Sequence, residues 1–383
     1  MGDGLTADEA VAIALSDNPA YQADLARIDS ARADLAEARR PVNPQLTLLD
    51  AVGPVSAMAT LLAPLESLWQ LPLRSKVAAR ALESLAESLV QSGLDLARDV
   101  KVAHATCALA EQRLVVRREL FATWRQLAQL TQQRVDVGEA APSDALSVAA
   151  EVALAEDLVT AADNDRALTR SALRTLLGLD RTAPTFAIQA ARPSDDLPAL
   201  VTLLSTAQTA RPDVRAAELS LLGAGARAGW ERARVLAVAA QVEGHWTRPD
   251  TFASRFGARI ELPIFGANPG GRARASAELH RASALLVALR QRVVLELTRA
   301  HVGAAQARGS LARYRGSVLP ALESARTLAT QSYELGEEGY TVVLDLMRQN
   351  SEARLREVEL LAEVRRSDAE LERAVGARLG GSR

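Results

Sequence analysis

Val137-Gly138-Glu139 closes a long helical run that begins near Ser75, and Leu335-Gly336-Glu337 closes another about half a chain later. From Ser75 to Val137 the sequence holds no proline and a single glycine, Gly93. Small or apolar residues at Leu82, Leu85, Leu89, Leu96, Val100, Ala103, Cys107, Ala110 and Leu114 follow spacings of 3, 4, 7, 4, 3, 4, 3 and 4. That is a heptad seam, the mark of a helix packed along its length on other helices. A continuous helix of this span reaches on the order of 90 Å at 1.5 Å per residue. No single globular core is that wide, so its partners must also be long. The second run, about Arg274 to Leu335, supplies one. Shorter runs, about Ser143 to Leu177 and Thr341 to Val375, should return antiparallel, and Ser143 or Asp144 should cap the first of them. Pro320, inside the second long run, lacks an N–H and should kink it.

Outward from the two glycines the chain says the same thing twice. Asn18-Pro19 and Arg211-Pro212 each open a helical run; Pro41 to Pro72 and Leu236 to Gly271 have strand and turn character; Gly178 and Gly376 stand near the end of each return helix. This divides the chain into structural repeats 1–190 and 191–383. The first holds a strand segment at 42–72 and a helix hairpin at 75–177, the second a β-hairpin at 237–266 and a helix hairpin at 272–376. In the second copy Phe256, Ala258, Ile260 and Leu262 share one strand face while Arg259 and Glu261 share the other. This alternation suits a membrane barrel, apolar outward and polar inward. Ala239 to Trp246 is the expected partner, joined through Thr247 to Ser254. In the first copy Gln45 to Leu49 reads as a short strand, whereas Met58 to Trp69 lacks alternation and reads as an apolar helix or loop.

Composition narrows the function. The net charge of −2 removes a nucleic-acid surface, which needs a basic excess. Aromatics are only 3%, as in long-helix proteins. No apolar run is long enough for a transmembrane helix. No charged segment followed by an apolar one opens the chain. The lone Cys107 excludes an internal disulfide. His104 and Cys107 lie one turn apart, a spacing that suits a metal, but two ligands on a packed seam read as core. Gly223, Gly225 and Gly229 follow no strand and read as small residues for close helix packing rather than a nucleotide loop. No nucleophile–base arrangement or carboxylate constellation stands out among the four scattered histidines. Neither catalysis nor a cofactor is expected.

Acidic residues collect near the two ends: Asp136, Glu139, Asp144, Glu334, Glu337, Glu338 and Asp345. In a cyclic oligomer they would repeat around the axis and favour cations. Ser332-Tyr333-Glu334-Leu335-Gly336-Glu337-Glu338-Gly339-Tyr340-Thr341-Val342-Val343-Leu344-Asp345 is the most specific stretch. With Asn18-Pro19, Ala38-Arg39-Arg40-Pro41 and Leu262-Pro263-Ile264-Phe265-Gly266, it makes the chain resemble the TolC-like outer-membrane efflux family over nearly all its length. The turn Asn268-Pro269-Gly270-Gly271 leans toward the heavy-metal export branch.

The resemblance implies a mainly α fold of long antiparallel helical hairpins, of α-barrel type, with strands that jointly close a barrel; the weak first strand segment departs from the family and leaves a small β-hairpin region, a reduced β-barrel. The resemblance implies a homotrimer in the outer membrane, spanning the periplasm as a passive conduit for efflux or type I secretion. The partners implied are a periplasmic adaptor (membrane fusion) protein and an inner-membrane pump. Gly138, Glu139, Gly336 and Glu337 would be the adaptor-docking tips. Tyr333 and Asp144 would form a closing contact, and Asp345 would line the aperture. Where relatives carry a basic residue two places after the second tip glycine, this chain has Glu338. A weak first strand segment favours the alternative, a soluble periplasmic TolC-like helical interaction protein without a complete barrel.

Overall fold

The computed structural model describes residues 4–50, 55–180, 186–190, 196–234, 237–247, 251–261, 266, 268–335 and 339–379. The first half runs α1 (Ala7–Asp17), α2 (Pro19–Leu25), α3 (Arg27–Ala38), β1 (Gln45–Asp50), β2 (Val55–Pro64), α4 (Glu66–Asp136) and α5 (Pro142–Leu176). The second runs α6 (Leu200–Ala210), α7 (Pro212–Ala233), β3 (Ala237–Thr247), β4 (Thr251–Glu261), α8 (Pro269–Arg313), a π turn (Tyr314–Val318), α9 (Leu319–Glu334) and α10 (Tyr340–Val375). Contacts divide the chain into two compact units, each drawing on both halves of the sequence.

One unit comprises Met1–Gln22, Ser92–Ala210 and Val293–Arg383. Ala10, Val11 and Ala14 of α1 bury against Val100 and Cys107 of α4 and against Leu173 and Leu177 at the end of α5. Thr6 and Glu9 form a capping box that starts α1. Asn18 Oδ1 then accepts from the Tyr21 amide, while Asn18 Nδ2 donates 2.8 Å to the Leu176 carbonyl. That contact requires Gly178, at φ +70°, where a Cβ would stand 2.3 Å from the Asp17 oxygen. Ala307 and Leu311 of α8 pack on Leu360 and Val364 of α10. Ion pairs of Lys101 with Glu372, Arg308 with Asp368, and Arg373 with both Asp95 and Glu296 fasten the same helices. Pro320 does lie at a disturbance: the π turn directly precedes it, with the Leu319 N–H donating to the Tyr314 carbonyl. The widened turn takes the carbonyls away from the proline ring, which would clash in a regular helix.

The other unit comprises Ala23–Gln91 and Arg211–Arg292. Its centre is one antiparallel sheet in the order β1-β2-β3-β4. Here the structure corrects the sequence reading: Met58 to Pro64 is neither helix nor loop but most of a ten-residue strand. The alternation is present but hidden, because β2 alternates small with large rather than apolar with polar. Ala57, Ala59, Leu61 and Ala63 face one way; Met58, Thr60, Leu62 and Pro64 face the other. The helix then begins at Glu66, earlier than expected, with Pro72 inside it. Glu66 Oε2 accepts from the Val238 amide of β3. The segment at 42–72 therefore supplies two strands, where one short strand was expected, to a small four-stranded sheet. Thr247 pairs directly with Thr251, so the β3–β4 connection is also shorter than Thr247 to Ser254. The stretch Leu262 to Phe265 lies outside the described residues. Of the three α7 glycines only Gly223 meets a neighbour, Arg80 Cβ at 3.5 Å; added Cβ atoms at Gly225 and Gly229 would touch nothing within 4 Å.

Candidate functional site

Two places carry the chemistry, the sheet and the ends of the helix hairpins. Residues directly opposite one another in an antiparallel sheet project to the same face. One face therefore carries Leu46, Leu61, Val242 and Phe256 in one row and Asp50, Ala57, Trp246 and Phe252 in another, with Leu48 and Ile260 beside them; Asp50 stands at its end, on edge strand β1. The opposite face carries Thr47, Thr60, Glu243 and Arg255 in one row, Gln45, Leu62, Gln241 and Gly257 in the next, and Leu49, Met58, His245 and Ala253 on the other side, with Arg259 and Glu261 further along β4. On the apolar face Leu48 is 71% and Phe256 79% exposed, so the chain itself leaves this surface uncovered. Trp246 and Phe252 stack at 5.0 Å at the turn end of β3–β4. The Phe252 ring reaches to 3.0 Å from where a Cβ would stand on Gly244, so glycine makes room for the aromatic. Strands β3 and β4 have eleven residues each, the length that crosses a bilayer at a tilt. Among the described residues β1 and β4 are edges, each with one strand neighbour.

The first hairpin end is built as a glycine cap. Gly138 takes φ +81° after α4; its N–H donates to Val135 O and the Glu139 N–H to Arg134 O, closing the last helical turn. Pro142 then starts α5 with Ala141 as its cap residue and no side-chain cap bond. The expected cap at Ser143 or Asp144 is thus corrected: proline's fixed φ suits the first helical position, which places both residues inside the first turn. Glu139 is exposed at the tip and pairs loosely with Arg134 at 3.7 Å. Asp144 is half-buried and lies 3.5 Å from Ser143 Oγ. Asp345 is exposed and accepts from Gln349 one turn on. Gly336, Glu337 and Glu338 lie outside the described residues.

Beneath both ends, α4, α5, α9 and α10 share a core of Trp124, Leu127, Val148, Tyr333, Val343 and Met347. Tyr333 is therefore a buried residue, 3% exposed. Arg134 sits over its ring at 4.6 Å and donates 3.0 Å to its carbonyl. Arg134 was not singled out from the sequence. Its place in the last turn before Gly138 was visible, but its partner is 199 residues away. Arg348 of α10 also pairs with Glu151 of α5, a second tie between the hairpins.

The His104–Cys107 spacing is structural. His104 Nε2 donates 2.8 Å to the Leu5 carbonyl, and burial lowers the ring's pKa. Cys107 is fully buried, and burial pushes its thiol up. No cluster of three or more metal-ligating side chains occurs among the described residues. In the Asn268 to Gly271 turn, Asn268 Oδ1 accepts from the Gly271 amide and its Nδ2 donates 2.6 Å to Glu231 of α7. A side chain at Gly271 would collide with both.

Long paired helices joined to a two-faced sheet recur in solved channels. The structure superposes on the transmembrane channel CusC with a TM-score of 0.83 at 18% identity, covering 97% of this chain and 92% of that one. It matches the outer membrane protein VceC of Vibrio cholerae with a TM-score of 0.82 at 17% identity, covering 97% and 96%. The chain has the fold of the TolC-like outer-membrane channels. In sequence, this TolC-like chain is 27% identical over 381 residues to the cobalt-zinc-cadmium resistance protein CzcC of Cupriavidus metallidurans, covering 97% of this chain and 90% of that protein. No protein-family model matches it.

Proposed function

We propose that this TolC-like chain is the outer-membrane channel of a tripartite efflux system, a passive conduit that docks a periplasmic adaptor fed by an inner-membrane pump. The observation that carries the reading is the sheet. A row of leucine, alanine and aromatic side chains on one face and of threonine, glutamate and arginine on the other fits lipid outside and water inside. Unpaired strand edges are not tolerated in lipid, so β1 and β4 must meet strands of further copies, and a homotrimer closes the barrel. The likeness to CzcC supports divalent cobalt, zinc or cadmium as cargo. Acidic residues at the hairpin ends, repeated around a threefold axis, would favour such cations. The test is cellular: deleting the gene for this chain should lower resistance to at least one of these three ions. Unchanged resistance to all three would remove the cargo assignment.

The gate belongs to the same proposal. Tyr333 with Asp144 forms a closing contact, Asp345 lines the aperture, and Gly138, Glu139, Gly336 and Glu337 meet the adaptor, whose docking swings the return helices outward. A tyrosine hydroxyl donates well to a carboxylate. Tyr333→Phe in the reconstituted protein should raise leak conductance; an unaltered leak sinks the gate assignment.

A further inference from the structure

The two hairpin ends are crowded with negative charge and hold a single cation. From residue 126 to 165 the one basic residue is Arg134, and from 327 to 347 there is none. Against it stand Asp136, Glu139, Asp144, Glu334, Glu337, Glu338 and Asp345. Like charges gathered at the ends push the ends apart, and in these stretches only Arg134 opposes them. Yet Arg134 does not set its guanidinium on a carboxylate. Glu139, its ion-pair partner among the described residues, is 3.7 Å away and mostly in solvent, where such a pair contributes little. The guanidinium lies instead over the Tyr333 ring at 4.6 Å, and Nη1 donates 3.0 Å to the Tyr333 carbonyl. That carbonyl is in the last turn of α9, the negative end of the helix dipole. One side chain of α4 thus grips both ring and backbone at the end of α9. The ring is buried and the guanidinium half-buried, so water weakens the contact less than on an open surface.

We infer that Arg134 is a positioning residue of the gate. It clamps Tyr333 and the end of α9 to α4 in the closed channel. It thereby supplies, from the first hairpin, the positive charge that the second tip lacks at Glu338. The inference rests on the reading of Tyr333 as a closing residue. It adds that closure needs this cation, and that opening takes the guanidinium off the Tyr333 ring.

The test is single-channel conductance of the full-length protein in a planar bilayer, without adaptor. Arg134→Gln should raise the leak about threefold or more, through loss of the cation–ring contact. Arg134→Lys keeps the charge but not the fork and should leak less than Arg134→Gln. Adding Arg134→Gln to Tyr333→Leu should change the leak less than it does in the wild type, because the ring is already gone. Salt separates a gate from a mere brace: screening the carboxylates should bring the Arg134→Gln leak, scaled to bulk conductivity, back toward that of the wild type. An Arg134→Gln channel that melts lower yet leaks like the wild type overturns the inference, as does a leak that adds independently of Tyr333. Tyr333→Phe tells the two proposals apart. A leak from Tyr333→Phe with none from Arg134→Gln keeps the gate reading and removes this inference. The reverse removes the hydroxyl contact and keeps the arginine clamp, and silence from both removes both. Should Arg134→Gln not assemble, Arg134→Lys and Tyr333→Leu decide, and wild-type leaks from both overturn the inference.

Discussion

Gly138 and Gly178 have the same backbone conformation but different neighbours. Both have positive φ, near +81° and +70°. At Gly138 an added Cβ meets nothing within 4 Å, whereas at Gly178 it would stand inside the Asp17 carbonyl. Gly138→Ala should therefore cost about 1 kcal/mol, the strain of an alanine in the left-handed region. Gly178→Ala adds displacement of the α1–α2 junction and should cost several-fold more, on the order of 3 kcal/mol or above. Melting followed by circular dichroism distinguishes them, and equal shifts would contradict the assignment. Both glycines were legible because helix ends announce themselves locally. Arg134 was not, since its work is done on Tyr333 from the other repeat.

At the scale of the element, periodicity revealed the helices and failed on β2. Its sequence, Val55 to Pro64, has one polar residue in the described register beyond the first two, Thr60, so a polar–apolar period had almost nothing to act on. What makes it a strand is its two neighbours, β1 and β3, each paired along it. Those contacts are long-range and absent from any local window. The π turn is a milder case: Pro320 signalled a disturbance but not its form. A π turn amounts to one residue inserted in a helix. Removing Gly316 should restore the regular pitch but drive the Pro320 ring into the preceding turn, costing about 3 kcal/mol. Removing Gly316 together with Pro320→Ala should restore most of that stability. Thermal melting of the two variants reads the difference; a single deletion as stable as the double change would show that the proline is not the cause.

At the scale of the molecule, much of the architecture was readable from the duplicated order of helices, strands and glycine-capped ends. Closure was not readable. The described residues offer four strands with β1 and β4 at the edges, and under the proposed trimer the strands that complete the barrel belong to other copies, so no pattern within a single sequence encodes the count. The alternative of a soluble helical relative rested on a deficient first strand segment, and β2 fills that segment. What remains is a broad apolar sheet face that water solvates poorly beside edges that seek partners. The most direct measurement of the central claim is molar mass by light scattering, with and without detergent. The account predicts three chains per particle in detergent and aggregation when detergent is withdrawn. A monodisperse single chain in plain buffer would contradict it.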